Sequence, residues 1–299
     1  ALGTYRKLAE RLPGQAEPLV KIATAQIGAK DFAAARKTLQ DALRIQPDLL
    51  EAQLLLGSVE IQGARLDEAH KIAKQVQQQE PNKPAGHVLE GDVAFARKDY
   101  SAALAAFERA HKLQPSAALV IRQFQALSAG QQKEDGEKRL AAWLAKHPQD
   151  VGVRAVLAES LIKRDQFKAA ADHYLILNKS NPDNLLVLNN LAWSLSEEKD
   201  SRALSFAEQA LKLKPDNPAV MDTLGWILVQ QGQTDRGIKL LRQALAKTPD
   251  VGDIQYHYAA ALAKSGDKVR ARQELDRLLK SGLDFRQKPA AQALMQTIK

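Results

Sequence analysis

Apolar and small residues recur along this chain in blocks of 33 or 34, and two successive blocks read almost as one sentence written twice. NPDNLLVLNNLAWSLSEEKDSRALSFAEQALKLKP is followed by KPDNPAVMDTLGWILVQQGQTDRGIKLLRQALAKTP. Laid over each other, Leu191-Ala192-Trp193 meets Leu224-Gly225-Trp226, and Ala203, Ala207 and Ala210 meet Gly237, Leu241 and Ala244. A proline closes each block. These prolines fall at 13, 47, 81, 115, 148, 182, 215 and 249, in steps of 34, 34, 34, 33, 34, 33 and 34. Twelve residues before each proline stands Ala or Gly, at 1, 35, 69, 103, 136, 170, 203 and 237. Ten residues after it a small residue recurs, with Gln125 as the exception. Two small residues per block let two helix backbones approach closely where they cross.

One block therefore predicts a helical hairpin. Its first helix opens after the proline, as in Pro215-Asp216-Asn217-Pro218, where Asp or Asn caps free amides and a second proline suits the first turn. It stops at a turn such as Gln231-Gly232-Gln233 or Ser265-Gly266-Asp267, whose Gly tolerates the left-handed conformation. The second helix runs to the next proline, which cannot continue it. A single hairpin cannot bury its apolar faces, so neighbours stack. The expected fold is all-α: a right-handed α-solenoid with residues 1–13 as the second helix of a truncated unit, 14–283 as eight units in one continuous solenoid, and 284–299 as a capping helix. Ala1, Tyr5, Leu8 and Pro13 match second-helix positions, so the chain is read as a fragment of a longer array. The fourth unit is expected to be the weakest, with a local softening or bend, because Gln125 replaces a small residue, Gly136 stands for Ala, and residues 131–136 read as a long polar connection. The last helix is expected from about Gln287 to Ile298, with Ala291, Leu294 and Ile298 on one face.

Composition narrows the chemistry. The absence of Cys removes disulfides, thiolate catalysis and Cys-type zinc sites. No apolar run comes near the roughly 20 residues that span a bilayer. The net charge is +8, but nine Lys or Arg against four Asp or Glu between Lys264 and Lys299 account for +5 of it. That basic end has only Phe285 as an aromatic, so it does not read as a nucleic-acid surface. His70, His87, His111, His147, His173 and His257 show no paired metal-ligand spacing. Phosphate-binding glycine loops and a nucleophile elbow are missing, and Glu197-Glu198 fall in a polar turn. The reading is of a protein that is not an enzyme and uses no metal or cofactor.

Binding remains. In stacked hairpins the first helices line a concave groove, and residues three or four apart share one face. Asn189, Trp193, Asp222, Trp226 and Tyr256 take equivalent positions there in units six to eight. Leu188, Leu191, Met221 and Leu224 already supply the packing stripe, which leaves both indoles spare. Two readings of Trp193 and Trp226 stand at this stage: anchors for a partner, or covers for the neighbouring helix. Asp222, Thr223 and His257 are groove contacts or ordinary exposed residues, and Asn190 is read as a tie between helices.

By its 34-residue period and its small-residue pattern the chain resembles tetratricopeptide-repeat (TPR) proteins. More closely, Asn189-Asn190-Leu191-Ala192-Trp193, DTLGWILVQQGQ from Asp222, YHYAAALAKSGD from Tyr256 and GLDF from Gly282 resemble the C-terminal part of TPR-repeat lipoproteins of the bacterial exosortase and PEP-CTERM sorting system. That resemblance implies a non-catalytic scaffold in the cell envelope, periplasmic and membrane-anchored, acting in polysaccharide production or export. The anchor would lie in a missing N-terminal part with its signal and lipid-bearing Cys; a cytoplasmic protein is the alternative. Two further classes stay open: a peptide-binding adapter of the co-chaperone type, and a carbohydrate-binding module using Trp193, Trp226 and Tyr256. The adapter's Lys/Asn/Lys/Arg carboxylate clamp is missing; Arg122 stands alone.

Overall fold

Each of the eight prolines lies between two helices, and the next helix begins two to four residues after it. The structure is a computed structural model that describes residues 2–298. Among the described residues the secondary structure is eighteen helices. Ala1 and the side chain of Leu8, assigned above to second-helix positions, lie outside the described residues.

The chain divides into two compact units, residues 1–153 and 154–299. The first holds α1 (Leu2–Arg11) and the pairs α2 (Glu17–Gly28) with α3 (Phe32–Ile45), α4 (Leu50–Gln62) with α5 (Leu66–Gln79), α6 (Ala85–Ala96) with α7 (Tyr100–Leu113), and α8 (Ala117–Ala129) with α9 (Lys133–Lys146). The division falls within α10 (Val151–Ile162), which pairs with α11 (Phe167–Ser180). The second unit continues with α12 (Leu185–Glu197) and α13 (Ala203–Leu213), α14 (Pro218–Gln230) and α15 (Thr234–Lys247), α16 (Gly252–Lys264) and α17 (Lys268–Lys280), and then α18 (Lys288–Thr297). The fold class is the expected one: all-α, a solenoid built of helical hairpins.

All eight hairpins turn the same way. One residue between the helices is left-handed in each: Lys30, Ala64, Lys98, Gln131, Asp165 and Lys199 at φ between 55° and 64°, and Gly232 and Gly266 at 84° and 91°. The residue that follows donates its N–H five positions back, as in Asp200 to the Leu195 carbonyl at 2.9 Å and Gln233 to that of Leu228 at 2.8 Å. This closure satisfies carbonyls left free at a helix end. In three hairpins that same residue, Asp31, Asp99 or Asp267, then caps the second helix with its carboxylate.

The small residues sit where the helices cross. Ala35, Ala69, Ala103, Ala170 and Ala203 are buried to within 1 % exposure. At Gly237 an added Cβ would stand 2.5 Å from the Gly225 carbonyl oxygen, so that crossing has no room for any side chain.

The fourth unit departs from its sequence reading. Ser116 caps α8 with its hydroxyl one residue after Pro115, where Asn184 and Asn217 cap two residues after theirs, so the lead-in is shorter and the helix advances by one position. Gln125 is therefore exposed, and Phe124 takes the crossing place of the small residue. A Cβ on Gly136 would lie 2.8 Å from Phe124 Cδ2, which explains why Gly stands there instead of Ala. The polar stretch 131–136 is mostly helix, because α9 begins at Lys133.

At the C-terminal end, Ala291 and Ile298 of the last segment are buried, and Leu294 packs beside them against the core that contains Tyr258, Leu275 and Leu278.

Candidate functional site

Three first helices of the second unit, α12, α14 and α16, lie side by side, and side-chain caps open the first two. The carboxamide oxygen of Asn184 accepts the Val187 N–H at 3.2 Å, and that of Asn217 accepts the N–H groups of Ala219 and Val220 at 3.0 and 3.2 Å. Pro218 follows in the first turn of α14, where its missing N–H costs nothing. Helix α14 packs directly on both α12 and α16. Leu188, Leu191, Leu224 and Leu228 face the core. The positions one turn away come together as an aromatic and polar cluster.

His257 is its centre. Its ring is 3 % exposed, with Trp226 stacked on it at 4.8 Å between centroids and 18° between planes. Trp193 lies 5.6 Å from it, tilted by 40°, and Tyr256 is 6.5 Å from Trp226. His257 Nδ1 is 2.9 and 3.0 Å from the two Asp222 carboxylate oxygens. A carboxylate only accepts, so Nδ1 carries the proton and donates. Nε2 then accepts from the Gln287 amide at 3.4 Å, while the Gln287 oxygen is buried without a protein partner.

The six expected site residues are thus brought onto one face, in two roles. Trp193, Trp226, Tyr256 and Asn189 are half-buried, with part of each surface open; Asp222 and His257 form a buried pair behind them. The indoles cover the neighbouring helix and also keep an exposed edge. The Asn189 carbonyl oxygen is buried with no acceptor bond made within the protein, a condition that a bound donor would relieve. Asn190 ties α12 to α11 by donating to the Tyr174 hydroxyl at 2.9 Å.

Other groups on this face escaped the sequence reading. Burial pushes the Glu197 carboxyl up. Glu197 opens onto a cavity of about 560 Å³ at the C-terminal ends of α12 and α14, together with Ser196, Lys199, Gln230 and Lys264. Ser196 donates to Gln230 at 2.7 Å, and Lys264 to the Val229 carbonyl at 3.2 Å. Asp165, Phe167 and Arg286 join from the α10–α11 turn and the segment after α17. Repeat periodicity aligns equivalent positions and is silent about such contacts; the quoted GLDF stretch was the one signal near them.

Elsewhere the candidates are structural. Trp143 donates its indole N–H to Asp150 at 2.8 Å and stacks 4.0 Å from His147. Arg122 pairs with Asp92 and covers the Phe107 ring at 5.6 Å. Among the described residues, no group of three or more His, Cys, Asp and Glu is arranged to hold a metal, and no helix is long and apolar enough to cross a membrane.

The tetratricopeptide repeat family matches residues 26–91, 194–250 and 228–298. A TPR repeat-containing protein of Pseudomonas aeruginosa is 31 % identical over 150 residues, which are 48 % of this chain and 25 % of that protein. The chain thus matches about a quarter of the length of this relative. Among solved structures, the APC/C hetero-tetramer Cut9–Hcn1 aligns with a TM-score of 0.56 at 15 % identity, over 96 % of this chain and 56 % of that one. A tetratricopeptide repeat protein from Parabacteroides merdae aligns at 0.53 and 14 % identity, over 83 % and 98 %. At these identities the likeness is one of fold.

Proposed function

Because the chain belongs to the tetratricopeptide-repeat family, we propose that it is a non-catalytic protein–protein interaction scaffold whose first-helix face in the second unit takes a protein or peptide partner. The observation that carries this reading is the aromatic cluster around His257. Two indoles and a phenol stand half-exposed, braced from behind by a buried Asp222–His257 pair. A rigid, pre-positioned aromatic surface loses little entropy when a partner covers it, which is where binding energy concentrates. The setting we propose is the bacterial cell envelope, in a sorting or exopolysaccharide system. The NNLAW, DTLGW and GLDF resemblance supports it.

The test is a pull-down from envelope extract with the wild-type chain and a Trp193→Ala/Trp226→Ala variant, followed by affinity and urea midpoints for each. Single substitutions are expected to weaken capture of the recovered partner by about 30-fold or more, the scale of roughly 2 kcal/mol. Leu191→Ala or Leu224→Ala is expected to lower stability instead, by about 2 to 5 kcal/mol. Trp variants that unfold early yet bind normally would overturn the assignment. Recovery of sorting or polysaccharide-export proteins supports the proposed setting, whereas chaperone C-termini as the sole catch would replace it.

A further inference from the structure

The second unit already holds an extended segment of its own chain on this face, and that segment shows what the face recognises. After α17 the chain turns through Gly282 at φ 74° and runs back toward the start of α16. Phe285 is buried against Gly252, where an added Cβ would lie 2.8 Å from its own Cβ. The Arg286 backbone N–H donates to the Asp253 carboxylate at 3.0 Å. Its guanidinium pairs with Asp165 and lies over the Phe167 ring, 5.2 Å from the centroid. Gln287 reaches His257, the centre of the aromatic cluster. Three consecutive residues therefore contact α16, the α10–α11 turn and the start of α11, with Asp165 and Asp253 lying 88 residues apart in the chain.

Helix capping explains Phe285, which fills a gap in the core. It does not explain Arg286, whose two contacts are a carboxylate and an aromatic face on a distant hairpin. A planar cation with donors in a fork is the group that such a pair selects.

We infer that the Asp165–Phe167–Asp253 corner of this face is an arginine-reading site, that Arg286 is its occupant in cis, and that the partner in trans is an extended peptide presenting an arginine beside an aromatic residue. The inference rests on the reading of this face as the partner site. Binding of the partner displaces Arg286, so the free chain is held partly closed by its own tail.

The probe is a labelled acetyl-LDFRQK-amide peptide, the chain's residues 283–288, titrated against full chains by fluorescence anisotropy, with helical content and urea midpoint measured for each variant. Arg286→Ala is expected to bind the peptide at least ten-fold tighter than wild type, because the site is vacated. Adding Asp165→Asn is expected to return affinity to the wild-type level, and a peptide with Ala in place of Arg should lose binding to every chain. Equal binding by wild type and Arg286→Ala, or equal binding of the Ala peptide, overturns the inference. If Arg286→Ala does not fold, wild type titrated with excess peptide still decides it: release must be slowed by the arginine and not by its Ala counterpart. A Trp-dependent partner recovered while the peptide never binds sinks this inference alone. Peptide binding with no Trp-dependent partner sinks the anchor role of the indoles instead.

Discussion

Asp222 and His257 stand 35 residues apart, at nearly the same place in successive repeats, and meet through a hydrogen bond of 2.9 Å in the interior of the second unit. Neither side chain has another charged residue bonded to it, so each is the other's compensation for burial. Removing one leaves its mate with an unmet polar group, which costs about 1 to 3 kcal/mol. Asp222→Ala and His257→Ala are each expected to destabilise the chain by that amount. The double variant is expected to cost clearly less than the sum, with a coupling of about 1 kcal/mol or more in a double-mutant cycle. Additive losses in urea midpoints would show that the two side chains do not depend on each other.

The left-handed turn residues make a second prediction. Six of the eight are not glycine, and each carries a Cβ in a region that disfavours it. Ala64→Gly and Lys199→Gly are expected to raise stability by several tenths to about 1 kcal/mol. Gly232→Ala is expected to lower it by a similar or larger amount. Thermal or urea midpoints that move the other way would mean that the strain is relieved in a manner the backbone angles do not show.

These turns also show what periodicity reveals and what it hides. The prolines and small residues, which act through local sterics, located each hairpin and the crossing points of its helices. Gly232 and Gly266 pointed to the left-handed position, but Lys30 or Asp165 at that position carries no such mark, because the two-helix closure imposes the conformation on whatever residue stands there. The same limit applied to the candidate site. Trp193, Trp226 and Tyr256 were legible from their register. The contact of His257 with Gln287 was not, because Gln287 lies outside the repeat, and Arg286 finds Asp165 only after four hairpins have stacked.

In the first unit, Glu90 predicts an acid response. Burial alone would raise its carboxyl, but hydrogen bonds from Lys74 at 2.6 Å, Gln77 at 2.9 Å and Arg109 at 3.1 Å hold it at about 2. A carboxyl depressed in the folded state stabilises the fold above its unfolded value, ordinarily near 4.5, and that contribution disappears as pH falls toward about 2. Glu90→Gln is expected to lower stability at pH 7 by the order of 1 to 2 kcal/mol, with allowance for solvent screening of the partly exposed Lys74 and Arg109. Below the window the variant and wild type should converge. Parallel stability curves from pH 7 down to pH 2 would show that the cluster is not coupled to folding.

The last prediction concerns Phe124 and Gly136, the crossing at which a large side chain faces a glycine where the other hairpins cross small residue on small. Where Ala stands in five of the equivalent crossings, Gly136 lacks a Cβ that would meet Phe124 Cδ2 at 2.8 Å and its Cα and carbonyl oxygen at 3.3 Å. The closest of these atoms belongs to a ring, which truncation removes; the other two belong to the backbone. Gly136→Ala is therefore expected to cost about 1 to 3 kcal/mol through overpacking. Phe124→Ala alone should also cost stability, because it empties the crossing. In the double variant the new methyl occupies part of the space that the ring vacated, so the loss should be smaller than the sum by about 1 kcal/mol. Gly237→Ala provides the contrast. Its methyl would meet the Gly225 carbonyl oxygen at 2.5 Å, an atom that no side-chain truncation can move, so truncating its neighbour Val229 should give no comparable rescue. Measured urea midpoints for these six chains and wild type decide the matter: rescue at residue 237 equal to that at 136, or none at either, would show that the Phe124 ring is not what fixed glycine in the fourth hairpin.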